Sequence, residues 1–438
     1  MPARGRASRV PLESGVPAAA RPLAPDVRPR EVWAWSMYDF ANSGYTTVVI
    51  TAVFSAYFVS VISANRPWAT FAWTAALSLS YLLILASGPL VGAWADARAT
   101  KKRVLLACTA GCVLFTALLY FVEPGQVALA LLLIVLSNYF FGTGENLIAA
   151  FLPELANSRA IGRVSGWGWA FGYCGGLLAL GLCLGYLLAS GRPAAEAVPV
   201  TMLITALFFA FAATPTFLFL RERGLPQPRL DNPWQRVKQT LRESKRYQDL
   251  RRFLVCILFY QAGITAVISL AAIYAEQVMK FTMQQTITLI LVVNLTAAVG
   301  AFGFGYVQDA IGHVRALALT LVGWIVMVLI AGTTETLAGF WAAANLAGLC
   351  MGSSQAAGRA IVGYLAPPAR LAEFFGLWGL AVKAASIFGP LTYGVITWVF
   401  AGNHRLGIFS TGVYFVVGLA LLKGIDIERG RRQALSGA

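Results

Sequence analysis

VPVTMLITALFFAFAATPTFLFL, residues 198–220, runs without a charge into RERGLPQPRLDNPWQRVKQTLRESKRYQDLRR, residues 221–252, and then into FLVCILFYQAGITAVISLAAIY, residues 253–274. A helix rises about 1.5 Å per residue, so each apolar flank reaches across the roughly 30 Å hydrocarbon core of a bilayer. The break between them carries ten basic and four acidic residues and belongs in water. Outward from this stretch the same alternation recurs. Apolar runs lie near Ala34 to Ile62, Thr70 to Ala95, Val104 to Phe121, Val127 to Phe151 and Val164 to Ser190 on one side. On the other they lie near Thr286 to Val307, Ala316 to Ala331, Leu337 to Gly358, Phe374 to Phe400 and Leu406 to Leu422. With the two flanks this predicts an all-α polytopic membrane protein of twelve transmembrane helices, spans 1 to 12, six on each side of the long break.

Composition agrees. Of 438 residues 58% are apolar and 12% charged, against about a quarter charged in a soluble domain. The net charge of +15 does not point to nucleic acid, because the basic residues sit between apolar runs and not along one helix face. With the N-terminus placed inside, 29 of the 34 Lys and Arg fall in inside segments, four fall outside and Lys383 lies within a span. The positive-inside rule therefore predicts cytoplasmic termini. Five segments follow: a disordered cytoplasmic tail over 1–32, an N-terminal bundle over 33–220, a basic cytoplasmic linker over 221–252, a C-terminal bundle over 253–422 and a cytoplasmic tail over 423–438. Within the linker, Trp234 to Arg252 has the pattern of a basic amphipathic helix for the membrane surface. The six cysteines all fall in apolar runs, without CxxC or Cys/His spacing, and read as reduced packing residues. No metal site and no cofactor is expected. The expected partners are the bilayer and a small-molecule substrate, with a monomer as the unit.

A local repeat supports duplication: Gly92 to Asp96 with Arg98, Lys101, Lys102 and Arg103 after span 2 matches Gly305 to Asp309 with Gly312 and Arg315 after span 8. The segment GPLVGAWADARATKKR resembles the signature loop of the major facilitator superfamily, with Thr100 near the place of its second glycine. Three further segments resemble the vacuole-effluxer-like family, named for a fungal vacuolar amino-acid exporter with bacterial relatives. They are WAWSMYDFANSGYTTVV in span 1, AAFLPELANSRAIGRVSGWGWAFGYCGG across spans 4 and 5, and GSSQAAGRAIVGYLAPPARLAEFFGLW with VKAASIFGP across spans 10 and 11. The resemblance implies the major facilitator fold of two pseudo-symmetric six-helix bundles, a cavity lined by spans 1, 4, 7 and 10, and a bacterial inner membrane as the location. It also implies gating roles for Gly92, Asp96, Arg103, Gly305, Asp309, Arg359 and Glu373. Asp96 is expected at the first turn of span 11 near Phe374, and Asp309 at span 5 near Val164.

Ionisable and polar residues in hydrocarbon cost several kcal/mol unless paired or wetted, so those inside the spans are the site candidates. Asp39, Asn42, Ser43 and Thr46 recur at helical spacing on one face of span 1. Asn138 and Glu145 share a face of span 4; Gln261, Thr265 and Ser269 do so in span 7. In span 10, Asn345, Gly348, Gly352, Gln355 and Arg359 form a small or polar stripe. Lys383 lies near the middle of span 11, where Asp39 or Glu145 could face it across a cavity. Each stripe can equally hold helices together, and Asp39 can equally cap a helix start. Gly168, Gly172 and Gly176, repeated by Gly181 and Gly185, predict close packing by span 5. Gly88-Pro89 and Gly389-Pro390 predict kinks.

These features predict a secondary transporter of a small organic solute, possibly amino acids, working by alternating access with ion or proton coupling. A lipid translocase of the same fold is the alternative. No GxxxxGK[ST] loop and no Ser/His or HExxH constellation is present, which speaks against direct use of ATP and against an enzyme.

Overall fold

The computed structural model describes residues 23–156 apart from 25, and residues 161–223, 233–367 and 371–436. All twelve spans form. In order they are Pro29–Ile62, Ala69–Arg98, Lys101–Leu118, Val127–Ala149, Ile161–Ser190 and Ala194–Phe219, then Gln248–Met279, Met283–Ile311, His313–Thr333, Leu337–Leu365, Leu371–Val399 and His404–Leu422. Eleven contain a segment long and apolar enough to cross a membrane unaided. The remaining one, span 10, is 29 residues long and packs along spans 8 and 9. The protein is a multi-pass membrane protein.

Packing repeats between the halves. Span 1 lies against spans 5 and 6 as span 7 lies against spans 11 and 12; span 4 takes spans 2 and 3 as span 10 takes spans 8 and 9. Across the middle, span 2 meets span 11 and span 5 meets span 8, so the contacts between halves obey the same two-fold rule. Glycines set the closest approaches. A Cβ on Gly175 of span 5 would run into the Phe40 carbonyl of span 1, and one on Gly389 of span 11 would run into the Ala262 carbonyl of span 7. Only glycine lets those backbones touch. Gly181 and Gly185 behave otherwise: nothing lies within 4 Å of either added Cβ, and they take no part in a packing ridge. Spans 2 and 11 run on helically through Pro89 and Pro390.

Span 1 starts at Pro29, five residues before the apolar run, because proline fits the first helical turn and Glu31 reaches back to accept from the Arg28 N–H at 3.2 Å. Asp39 is thus ten residues, or about 15 Å, inside the helix. It cannot cap the helix start. From Thr46 to Ala52, and again from Phe58 to Ile62, span 1 winds as π-helix, a local widening that recurs at functional sites. After span 2 the chain turns at Ala99 with a left-handed φ of 48°, next to Thr100; after span 8 the turn falls on Gly312 at φ 86°.

Secondary structure continues beyond the spans. Residues 1–22 lie outside the described residues, but Ala24 N–H donates to Leu155 O at 3.0 Å. The C-terminal segment forms a helix, Ile427–Ser436, and the linker contains the helix Pro233–Glu243. Each half is closed by the same device. At the start of span 1, Glu31, only 2% exposed, accepts from Nη2 of Arg223, from just after span 6, at 2.9 Å and is ion-paired with its Nη1 at 2.9 Å. At the start of span 7, fully buried Asp249 takes Arg429, from just after span 12, at 2.6 and 2.8 Å, and the Asp426 N–H at 3.0 Å. The carboxylates hold both guanidinium groups above their usual range through these hydrogen bonds. Breaking such a pair is worst when the buried member is left alone. Arg429→Ala is therefore expected to lower the melting temperature of the purified protein by about 5 °C or more, and Asp249→Ala by less than half as much. Equal shifts in a tryptophan-fluorescence melt would remove the clasp from the stability of the C-terminal half.

Candidate functional site

A cavity of about 280 Å³ lies between the halves, room for about nine waters at bulk density. One wall is polar and comes from span 1, with Asp39, Asn42, Ser43 and Thr46 joined by Thr47 and Thr51 from the π-helical turn. Glu145 of span 4 adds to it. The wall from the C-terminal half is mostly apolar: Ile268, Ala271, Leu289, Met327, Ala347 and Met351 among others, with Asn294 of span 8 and Gln355 of span 10 as its polar exceptions. Aromatic rings complete the lining. Tyr274, Trp324 and Tyr393 each have their polar atom tied off, to Ala331 O at 2.6 Å, Ser354 Oγ at 3.4 Å and His404 Nδ1 at 3.0 Å. Their polar atoms being occupied, these side chains add to the apolar part of the lining.

The span 1 stripe faces span 5 as well as the cavity. An added Cβ on Gly168 would meet Asp39, one on Gly172 would sit 2.8 Å from Ser43 Oγ, and one on Gly176 would sit 2.8 Å from Thr47 Oγ1. The glycine ridge and the polar stripe are one seam. Trp169 and Tyr173, beside those glycines, join the lining from span 5.

Two inter-half contacts frame the site. Lys383 of span 11 is ion-paired with Glu145 of span 4, and its ammonium stands 5.7 Å from the Tyr81 ring. Arg359 of span 10 lies over Trp169 at 4.9 Å and over Trp378 of span 11 at 5.5 Å, a cation–π contact across the halves. Of the two acids expected to face Lys383, Glu145 is the one that does.

Five expected lining residues lie elsewhere. Asn138 is buried and donates to Ser80 Oγ at 2.5 Å, joining span 4 to span 2. Thr265 turns its hydroxyl back to Gln261 O at 2.9 Å, and neither Gln261 nor Thr265 faces the cavity, which takes the apolar face of span 7 instead. Asn345 bonds Trp341 O within its own helix at 2.8 Å. Gly348 and Gly352 pack on the span 8 backbone at Val293 and Ala297. Lys383 stands behind Glu145, outside the lining. Periodicity had identified a face of each helix, and packing had claimed it. Among the gating candidates, Gly92 has open space beside it, Arg103 is exposed, and Arg359 engages tryptophans. The side chains of Asp96 and Asp309, with Gly305 and Glu373, lie outside the described residues. Phe374 is buried against Tyr247 at 5.5 Å, and Val164 is buried.

Comparison with known proteins follows this geometry. The family described as "Vacuole effluxer Atg22 like" matches residues 58–435. An uncharacterized MFS-type transporter, YxiO of Bacillus subtilis, is 27% identical over 411 residues, which cover 90% of this chain and 94% of that protein. Autophagy-related protein 22 of Kluyveromyces lactis is 23% identical over 379 residues, covering 77% and 75%. Among solved structures, the nucleoside transporter NupG superposes with TM-score 0.66 at 13% identity, covering 91% of this chain and 99% of NupG. A bacterial homolog of the human lysosomal transporter Spinster, inward-facing and unoccupied, gives TM-score 0.68 at 13% identity, covering 93% and 99%. The fold is that of the major facilitator transporters.

Proposed function

The chain belongs to the Atg22-like vacuole effluxer family, and from that premise we propose that it exports a small amphipathic solute, an amino acid or a close relative, by alternating access. The observation that carries this reading is the cavity's division into a polar wall from span 1 and an apolar, aromatic wall from the C-terminal half. A solute with one polar end and an apolar body satisfies both walls. A sugar would leave its hydroxyls against the apolar side unbonded, at a cost for each. The volume supports a solute of amino-acid size.

Glu145 is the proposed proton carrier. It lines the cavity and is partnered by Lys383 in the opposite half, so changing its charge alters a contact that the halves must make and break. The positive-inside bias supports cytoplasmic termini, and the Bacillus relative supports a bacterial plasma membrane. No observation favours the lipid translocase alternative.

The test is a thermal-shift screen of amino acids on the purified protein, followed by counterflow of each hit in reconstituted vesicles. A stabilising amino acid should accumulate transiently against its gradient when the vesicles are preloaded with it. If nothing in the amino-acid set stabilises or exchanges while a sugar or nucleoside does, the substrate reading fails.

A further inference from the structure

Four acceptor oxygens on the polar wall have no donor among the described residues. Asn42 is 94% buried, from a relative exposure of 6%, lines the cavity, and its Oδ1 has no hydrogen-bond partner. One helical turn earlier on the same face, both oxygens of the Asp39 carboxylate lack a bonded donor, and Oε1 of Glu145 is left over once Oε2 has taken Lys383. Buried amides in native proteins are almost always satisfied. A carboxylate in a cavity at membrane depth needs a counter-charge. Meanwhile no described Lys, Arg or His lines the cavity: Lys383 is committed to Glu145, and Arg359, outside the lining and over tryptophans, attracts Asp39 through space without donating a hydrogen bond to it. The wall is rich in acceptors and poor in donors.

From this we infer that Asp39, Asn42 and Glu145 form a subsite for a primary ammonium group, and that the cavity in this state selects its solute by an amine end and not by a carboxylate. An ammonium carries three N–H donors, which is what the wall lacks, and a positive charge that both carboxylates attract. Charge-assisted bonds to Asp39 and the orphaned Asn42 oxygen satisfy both at once. The apolar body then falls on the rings of Trp324 and Tyr274 across the cavity. A lone carboxylate finds like charge at Asp39 and Glu145, and to gain a cation it must compete with them for Arg359 or Lys383. This rests on the proposed transport of an amphipathic solute and specifies the end by which that solute is held.

Phenethylamine, phenethyl alcohol and hydrocinnamic acid share an aromatic body and differ at the polar end. Each is titrated against the full chain in lipid nanodiscs, in potassium buffer, with Trp169 and Trp324 as intrinsic fluorophores. The amine should bind at least about tenfold more tightly than the alcohol or the acid, and Asn42→Leu should weaken the amine about tenfold while leaving the alcohol unchanged. The wild-type comparison needs no variant, so a poorly folding Asn42→Leu does not rescue the inference. Equal affinity for acid and amine overturns it. So does a sodium chloride response that matches the amine's and displaces it, since the orphaned oxygens would then belong to a sodium ion. If amino acids exchange in counterflow but amines neither bind nor compete, the subsite fails and the transporter reading stands. If amines bind and no solute is transported, the reverse holds.

Discussion

Lys383→Ala should cut transport by about 100-fold or more and reduce the yield of folded protein, whereas Lys383→Met combined with Glu145→Leu should restore the yield without restoring transport. Both side chains are charged groups in apolar spans, and each is the other's partner. Removing Lys383 strands Glu145, whose side chain is 37% exposed, so the cost falls below the about 3–5 kcal/mol of a fully buried pair, and each 1.4 kcal/mol is a factor of ten in an equilibrium. Removing both substitutes apolar packing, which buried pairs tolerate well. Function should stay lost because Glu145 also lines the cavity. The pair further joins span 4 to span 11, so its strength sets part of the balance between the states in which these spans touch and separate. Exchanging the two residues, Glu145→Lys with Lys383→Glu, keeps the contact and should recover folding. Yields are read by size-exclusion chromatography and transport by counterflow. If Lys383→Ala folds and transports like the parent, the pair has no part in holding the halves.

Hydropathy made the twelve spans legible, because a charge-free run of twenty residues has few other uses. It misplaced the start of span 1, where Pro29, Arg30 and Glu31 are helical but not apolar: the turn is stabilised by its proline and the Arg28–Glu31 contact. Span 1's stripe was legible since four polar residues at helical spacing fell on a face that does line the cavity. Of the stripes of spans 7 and 10 only Gln355 lines the cavity, for a physical reason. A threonine can satisfy its hydroxyl on its own helix, as Thr265 does, and glycines serve a neighbouring backbone as readily as a cavity, as Gly352 does. The aromatic wall carried no sequence signal, because Trp324 and Tyr274 in apolar runs look like ordinary packing. Their function depends on which way the ring faces. That Glu145, and not Asp39, meets Lys383 depends on how two separate bundles dock, and no local pattern encodes it.

Gly175→Val and Gly389→Val should each abolish recovery of monodisperse protein, the largest stability effects expected from single substitutions here. At both positions the obstacle is a backbone carbonyl of the neighbouring helix, Phe40 for one and Ala262 for the other. A side chain can rotate out of the way; a helix backbone can yield only by moving the whole span. The usual overpacking cost of about 1–3 kcal/mol is then a lower bound. Separating span 5 from span 1 would also open the seam that sets Asp39, Ser43 and Thr47 against Gly168, Gly172 and Gly176, and span 7 from span 11 would lose the equivalent contact in the other half. Gly181→Val and Gly185→Val are the controls, on the same helix as Gly175 but with nothing within 4 Å. They should elute as the parent does. Fluorescence-detected size exclusion of the four variants decides it: if all four lose the monodisperse peak, valine in span 5 or 11 is harmful for reasons other than contact. If all four keep it, the two close approaches are not what fixes the halves.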